Sequence, residues 1–332
     1  MRKKIKFLVM GFIIVSCSMN LSIGKSKVQA ISLKEQIAIG ADEADANQMF
    51  FNLIGSFIDS KNNYYLLDKG NFRIQVFNKD GKFIRTIGKK GQGPGELASI
   101  VAGVIYDQKY VLVADDELLR VNVYDLEGNF MSSFKIKGKV SDLICAPDNK
   151  IFIAYPDIEG RLIHEYDLKG NLIRSFGALK EKELTLFNDA VKMCMDAEGN
   201  FYVCIRYANR IQRYDFKGNL IKEIEADLPF TVRPQETKGG GYQVTSVFLD
   251  IACNGNDVYI ITAPQVPAHG SIQDALKEGN YMIILDKKLN QKQISKLPYL
   301  TISLSFDNYQ RLLLCDLNFI FHVCSVTSPK GE

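Results

Sequence analysis

Histidine is scarce in this 332-residue sequence, with His164, His269 and His322 standing far apart. No Cys-x-x-Cys pair occurs, which leaves a zinc site of that type unsupported. No serine sits in a nucleophile elbow, and no Ser-His-Asp set can be assembled from the spacing. The apolar run at residues 7–15 falls short of the roughly 20 residues a membrane-spanning helix needs. Net charge is only +3, and no basic stripe or basic–aromatic interleaving stands out, which argues against nucleic acid as a partner. Helical periodicity is weak after the first residues, with residues 272–278 the best short helix candidate. No linker-like stretch breaks the chain, so its length reads as one large domain.

What the sequence does have is a repeat. Four segments carry an aromatic, Asp or Asn, two residues, Gly, Lys or Asn, and an apolar pair. They begin at Phe77, Tyr124, Tyr166 and Tyr214, spaced 47, 42 and 48 residues apart. Each reads as a hairpin. The Asx side chain folds onto the amides ahead of it, and Gly supplies the positive φ of the turn. An apolar strand lies upstream of each hairpin, with a further strand and a polar turn before it, giving four strands per unit. Four-stranded units at this period are propeller blades.

A fifth unit follows, with a degraded hairpin at residues 283–290 that lacks the Gly. A sixth, from Leu300 to Val326, lacks an outer strand. Residues 31–39 can supply it, closing the ring between the chain ends and covering a sheet edge. The expected architecture is therefore all-β: a six-bladed propeller of four-stranded antiparallel blades over residues 31–328.

The amino terminus has a basic start, residues 1–6, followed by the short apolar run, which is the pattern of an export signal. Ile14-Val15-Ser16-Cys17 matches the bacterial lipobox. The match implies a signal peptide at residues 1–16, lipidation of Cys17, and a tether at residues 17–30. Ordinary cleavage after Val28-Gln29-Ala30 is the alternative. Removing the four basic groups of residues 1–16 takes the net charge from +3 to −1. The six other cysteines are expected to be buried free thiols, with a Cys194–Cys204 cross-strand bond as the alternative.

The run Asp68-Lys69-Gly70-Asn71-Phe72-Arg73-Ile74-Gln75-Val76-Phe77 resembles the NHL repeat, and Asn209-Arg210-Ile211 partly repeats it. The glycine-rich loop at residues 88–97 is similar to one in six-bladed NHL-type propeller lipoproteins of the Bacteroidota. The resemblance covers residues 50 to about 325 and implies the fold. It assigns no activity. The loop itself has no Lys-Ser/Thr and no following helix, so it reads as an interblade connector rather than a phosphate cradle.

Propellers of this class place sites on loops at one channel mouth. The candidate ligand-binding residues are Asn71, Arg73, Asp115, Asp116, Arg120, Arg206, Asn209, Arg210, His269 and Asp316. Asp115, Asp116 and Asp316 offer oxygen ligands suited to calcium. Yet Asp68, Asp115 and Asp316 share one repeat position, which turn capping also explains. Arg73, Arg120 and Arg210 fall in register, as interblade braces or as an anion site. Residues 228–242 and 264–280 break the repeat, and insertions of this kind often mark a binding face. The sequence thus points to a monomeric, lipid-anchored binding or scaffold module of the bacterial cell envelope, without catalytic residues, cofactor or metal. Its partner would be an envelope protein, peptide or glycan, and its only membrane contact the lipid. The alternative is a metal-dependent hydrolase, lactonase or lyase with a site in the channel.

Overall fold

In each repeat the turn chemistry fixes the outer hairpin. The Asn78 side chain accepts hydrogen bonds from the Asp80 and Lys82 amides, and the Gly81 amide donates to the Asn78 carbonyl. Gly81 then takes φ +79°, and the pairing shifts by one residue between Val76 and Phe77. This is a type I turn closed by a glycine bulge. Asp125, Asp167, Asp215 and Asp286 build the same turn, with Asn129, Asn171, Asn219 and Asn290 donating back from amide and side chain. In the fifth copy Leu289 occupies the left-handed position at φ +60°. Its side chain is buried in the core, which offsets the strain of a non-glycine residue there.

The computed structural model describes residues 28–40, 45–178, 191–232, 235–236, 242–243, 246–265 and 272–327. The segments expected as signal peptide and lipobox, most of the expected tether, and His269 lie outside these residues. Six blades follow in chain order. Blade one comprises Leu53–Ile58, Tyr64–Asp68, Arg73–Phe77 and Phe83–Ile87. Blade two comprises Ile100–Tyr106, Tyr110–Asp115, Arg120–Asp125 and Phe130–Lys135. Blade three comprises Asp142–Cys145, Ile151–Ala154, Ile163–Tyr166 and Leu172–Phe176. Blade four comprises Val191–Met195, Phe201–Ile205, Ile211–Tyr214 and Leu220–Ile224. Blade five comprises Phe248–Cys253, Asp257–Thr262, Tyr281–Asp286 and Gln291–Lys296, with a helix, Ile272–Glu278, between its second and third strands. A pair of two-residue strands, Gln235–Glu236 and Tyr242–Gln243, precedes it.

Blade six has three strands of its own, Thr301–Phe306, Leu312–Asp316 and Phe321–Thr327. Its outer strand is Ser32–Ile39, antiparallel to the last strand with Ser32 opposite Thr327 and Ile39 opposite Phe321. The two chain ends therefore share one blade, as the sequence suggests. Just before it, Gln29–Ala30 pairs in parallel with the outer strand of blade five.

The second strand of each blade is almost entirely buried because blades cover it on both faces. The core is accordingly divided into six apolar clusters, one at each interblade seam. The seam between blades six and one contains Ile39, Leu53, Tyr64, Phe77 and Phe321. Ring closure is thus built from the same apolar packing as the other seams. Polar ties reinforce it. Arg311 donates to the Tyr64 hydroxyl at 2.7 Å and to Gln36 Oε1 at 2.8 Å, joining blade six, blade one and the closing strand. His322 contacts Glu35 on the closing strand.

Candidate ligand-binding channel

The innermost strands of all six blades line a central channel of about 430 Å³. At one end it opens into a mouth of about 650 Å³, formed where the first strands begin and the second strands end. Ile54, Val101, Lys192 and Asp250 border both spaces and form the throat. Comparing the blades around this tier shows an asymmetry. Blades one, two and six contribute Ile54, Val101 and Ile302. Blades three, four and five contribute Asp142, Lys192 and Asp250.

Both carboxylates on the charged side clip neighbouring inner strands together. Asp142 accepts from its neighbour's Leu143 amide at 3.0 Å and from the Met193 amide of blade four at 2.9 Å. Asp250 accepts from the Ile251 amide at 3.0 Å, and from the Ser303 hydroxyl and Leu304 amide of blade six at 2.7 and 2.9 Å. Lys192 lies 3.7 Å from Asp142, an ion-pair separation beyond hydrogen-bonding distance. Burial disfavours its charge, but the Asp142 and Asp250 carboxylates outweigh that and hold its pKa above the usual lysine value. Burial also raises the pKa of Asp142, with Lys192 opposing. The mouth adds Lys69, Asp116 and Arg206 from the loops after second strands. Oδ1 of Asp116 is buried and has no hydrogen-bond partner in the structure. Asp142, Lys192, Asp250 and Lys69 are not among the residues singled out from the sequence. The signal for the first three is a charge in the inner strand where other repeats carry Ile or Val; Lys69 lies on a loop after a second strand.

The sequence-derived candidates fall into four groups. Asp116 and Arg206 border the mouth. Asn71, Arg73, Asp115, Arg120 and Asp316 hold blades and connectors. Arg73 pairs with buried Asp68 at 2.9 Å and donates to the Met49 carbonyl, and Asn71 contacts both as well. Asp115 accepts from the amides of Ala98, Ser99, Glu117 and Leu118. Arg120 donates to the carbonyls of Gln92, Gly93 and Glu96, fastening the glycine-rich loop. The carboxylate of Glu96 takes the Gly93 amide, so the loop is held as a connector. Asp316 caps its own turn through the Asn318 and Ile320 amides and lies 3.4 Å from His322. Asn209 and Arg210 border a separate surface cleft with Leu228, Phe230 and Val232 of the repeat-breaking segment. There Asn209 exchanges two hydrogen bonds with Ala226, and Arg210 lies 3.7 Å from Glu223. His269 falls outside the described residues.

His164 stacks on Tyr155 at a centroid distance of 3.8 Å and bonds Ser175 Oγ and the Tyr155 carbonyl. Burial lowers its pKa, so it is a neutral strand residue. Among the described residues, no three His, Cys, Asp or Glu side chains gather to hold a metal ion.

One cysteine expectation needs correction. Cys194 bonds Cys253, joining the inner strands of blades four and five across a Cα–Cα distance of 6.0 Å. Cys194 does not bond Cys204, because Cys194 pairs with Tyr202 and Cys204 with Lys192. That diagonal leaves Cα atoms about 7–8 Å apart, too far for an unstrained bridge. Cys145, Cys204, Cys315 and Cys324 are free thiols. Cys145 lines the channel with the bonded pair, but burial pushes its thiol up to about 11, so it is protonated near neutral pH.

The family model for 6-bladed beta-propellers of the DUF5128 type matches residues 47–238. The chain belongs to this family. Among solved structures, a duf4221 family member from Bacteroides vulgatus is similar over 91% of this chain and 100% of its own, with a TM-score of 0.61 and 12% identity. A Bacteroides fragilis protein named as exported is similar over 90% and 95%, with a TM-score of 0.60 and 12% identity. Virginiamycin B lyase from Staphylococcus aureus is similar over 90% and 100%, with a TM-score of 0.55 and 11% identity. At these identities the likeness shows the fold alone. The Drosophila melanogaster protein brain tumor is 24% identical over 131 residues, 39% of this chain but 13% of that protein. No described helix is long and apolar enough to cross a membrane.

Proposed function

We propose that this propeller is a binding module of the bacterial cell envelope, exported, anchored by lipid on Cys17, and taking a protein, peptide or glycan ligand at the channel mouth. The observation that carries the binding role is the mixed lining of the mouth. Aliphatic side chains with a few charged ones among them, around a cavity of about 650 Å³, are the make-up of a ligand pocket with a few orienting groups. The basic and apolar start of the chain and the sequence Ile14-Val15-Ser16-Cys17 support export and anchoring. The fold shared with a Bacteroides fragilis protein named as exported agrees with this address. Cys17 is eleven positions before Val28, where the described structure begins, a reach of at most roughly 40 Å. The ring would then stand close to the membrane that holds it.

Capture from envelope extract tests the binding role. Wild-type protein and the double variant Asp116→Arg, Arg206→Glu are compared at equal loading. A ligand retained by the wild type and lost from the folded variant supports the reading. Equal retention by both removes the mouth from consideration. For the anchor, Cys17→Ala is expected to move the protein from the membrane to the soluble fraction, and unchanged membrane retention refutes lipidation.

A further inference from the structure

We infer that the mouth takes a peptide-like ligand, bound through a free carboxylate at Lys192, an amide N–H at Asp116 and an aliphatic side chain against Ile54, Val101 and Ile302. The inference rests on the mouth being the binding site and adds the class of ligand.

Each part answers an unfilled capacity. Lys192 is an ammonium with three donors, and the nearest carboxylate oxygen stands 3.7 Å away. Its two acidic neighbours are already engaged by backbone amides and Ser303, so they do not close around it. The Asp116 carboxylate borders the cavity; its Oδ1 is enclosed by the protein and accepts nothing, which leaves the other oxygen as the acceptor for a ligand. A ligand N–H donated to this carboxylate makes a charge-assisted hydrogen bond, stronger than a neutral one. Both groups border the same cavity, which Ile54, Val101 and Ile302 also line. One molecule meeting all three demands carries an acid, an N–H donor and an apolar branch. An acylated amino acid and a peptide carboxyl end share that chemistry.

Charge and shape argue against other ligands. Among the described residues, the six charged ones of channel and mouth, Lys69, Asp116, Asp142, Lys192, Arg206 and Asp250, balance in sign, so a polyanion gains little from them. Among the described residues no aromatic side chain lines the mouth, so a sugar ring finds no flat apolar face on them.

The test is titration calorimetry of the full chain with N-acetyl-leucine, N-acetyl-leucinamide, acetyl-Ala-Ala-Leu with a free carboxylate, and the amidated tripeptide. The free acids are expected to bind at least about tenfold more tightly than their amides, the scale of one charged hydrogen bond. Lys192→Met should abolish that preference without weakening the amides, and thermal melting checks that the variant is folded. Lys82→Met, on an exposed hairpin turn outside the mouth, should leave the preference in place. A tripeptide tenfold tighter than the acetyl amino acid assigns a peptide end, and equal affinities assign a small acylated amino acid. Acid and amide binding alike, lost in Asp116→Arg but unaffected by Lys192→Met, overturns the ligand class and leaves the mouth as a site. No binding by any probe, together with equal capture by the mouth variant, overturns both.

Discussion

Asp115 ends the second strand of blade two and Lys192 lies on the first strand of blade four, and their surroundings are opposite. Asp115 is fully buried and accepts four backbone amides, while Lys192 faces the channel with one distant ion partner. The first occupies a position that recurs from blade to blade, as do Asp68, Asp316, Arg73 and Arg120. The second occupies a position where the repeat carries Ile54 or Val101. Recurrence therefore marks residues that hold the blade and its connector. Chemistry available to a ligand appears where one blade departs from the others. A repeat fold needs its in-register polar groups for bracing, because each blade must fasten the next connector in the same way.

The largest effect expected is on the side of the ring where the repeat is broken. Cys253→Ser removes a bond that closes a 59-residue separation and should cost up to about 4 kcal/mol in denaturant unfolding. A cost this large would show that the ligand-facing side of the ring also needs reinforcement. A negligible cost would mean that packing between blades four and five suffices. Next, Asp115→Ala leaves four amides without their acceptor and should cost about 3 kcal/mol. If the stability change proved negligible while ligand binding fell, the division between bracing and binding residues would break.

A smaller loss, about 2 kcal/mol, is expected for Gly218→Ala. Gly218 has φ +91°, and an added Cβ would lie 2.6 Å from the Phe176 ring of the preceding blade. The same turn carries Leu289 in blade five, so Leu289→Gly should lose buried apolar contact and fail to stabilise.

The smallest effect concerns pH. Burial lowers the affinity of His322 for a proton, but Asp316 and Glu35 outweigh it and raise its pKa. A raised pKa stabilises the fold below the unfolded value near 6.5, and this contribution fades as pH rises through the folded value. Asp316 is shifted downward; burial opposes this, while His322 and two backbone amides outweigh it. Its contribution fades instead on acidification below about 4. Wild type should exceed His322→Gln by about 1 kcal/mol near pH 5.5, with the gap narrowing by pH 9, since Glu35 is partly exposed. A gap that widens with pH would contradict this clasp on the closing strand.

The fold was legible because turn chemistry repeats. Asx, Gly and the aromatic before them specify a hairpin locally, and their period specifies blades. Even the closing strand at residues 31–39 and the helix at 272–278 could be read, the first from the missing strand of blade six. The mouth was only half legible. Asp116 and Arg206 follow second strands, and their loops could be placed by counting. Lys192, Asp142 and Asp250 lie inside strands, where an isolated charge reads as ordinary alternation. Which face of a strand borders the channel depends on ring geometry, which no local pattern contains. The disulfide was illegible for the same reason: Cys194 and Cys253 meet across two blades, 59 residues apart.

The most direct test measures the affinity of acetyl-Ala-Ala-Leu for Arg73→Met and Lys192→Met side by side. The in-register substitution should leave affinity within about twofold although it removes a brace, and the off-register one should weaken it at least about tenfold. The reverse pattern, with binding lost in Arg73→Met and kept in Lys192→Met, would contradict the division between bracing and binding residues.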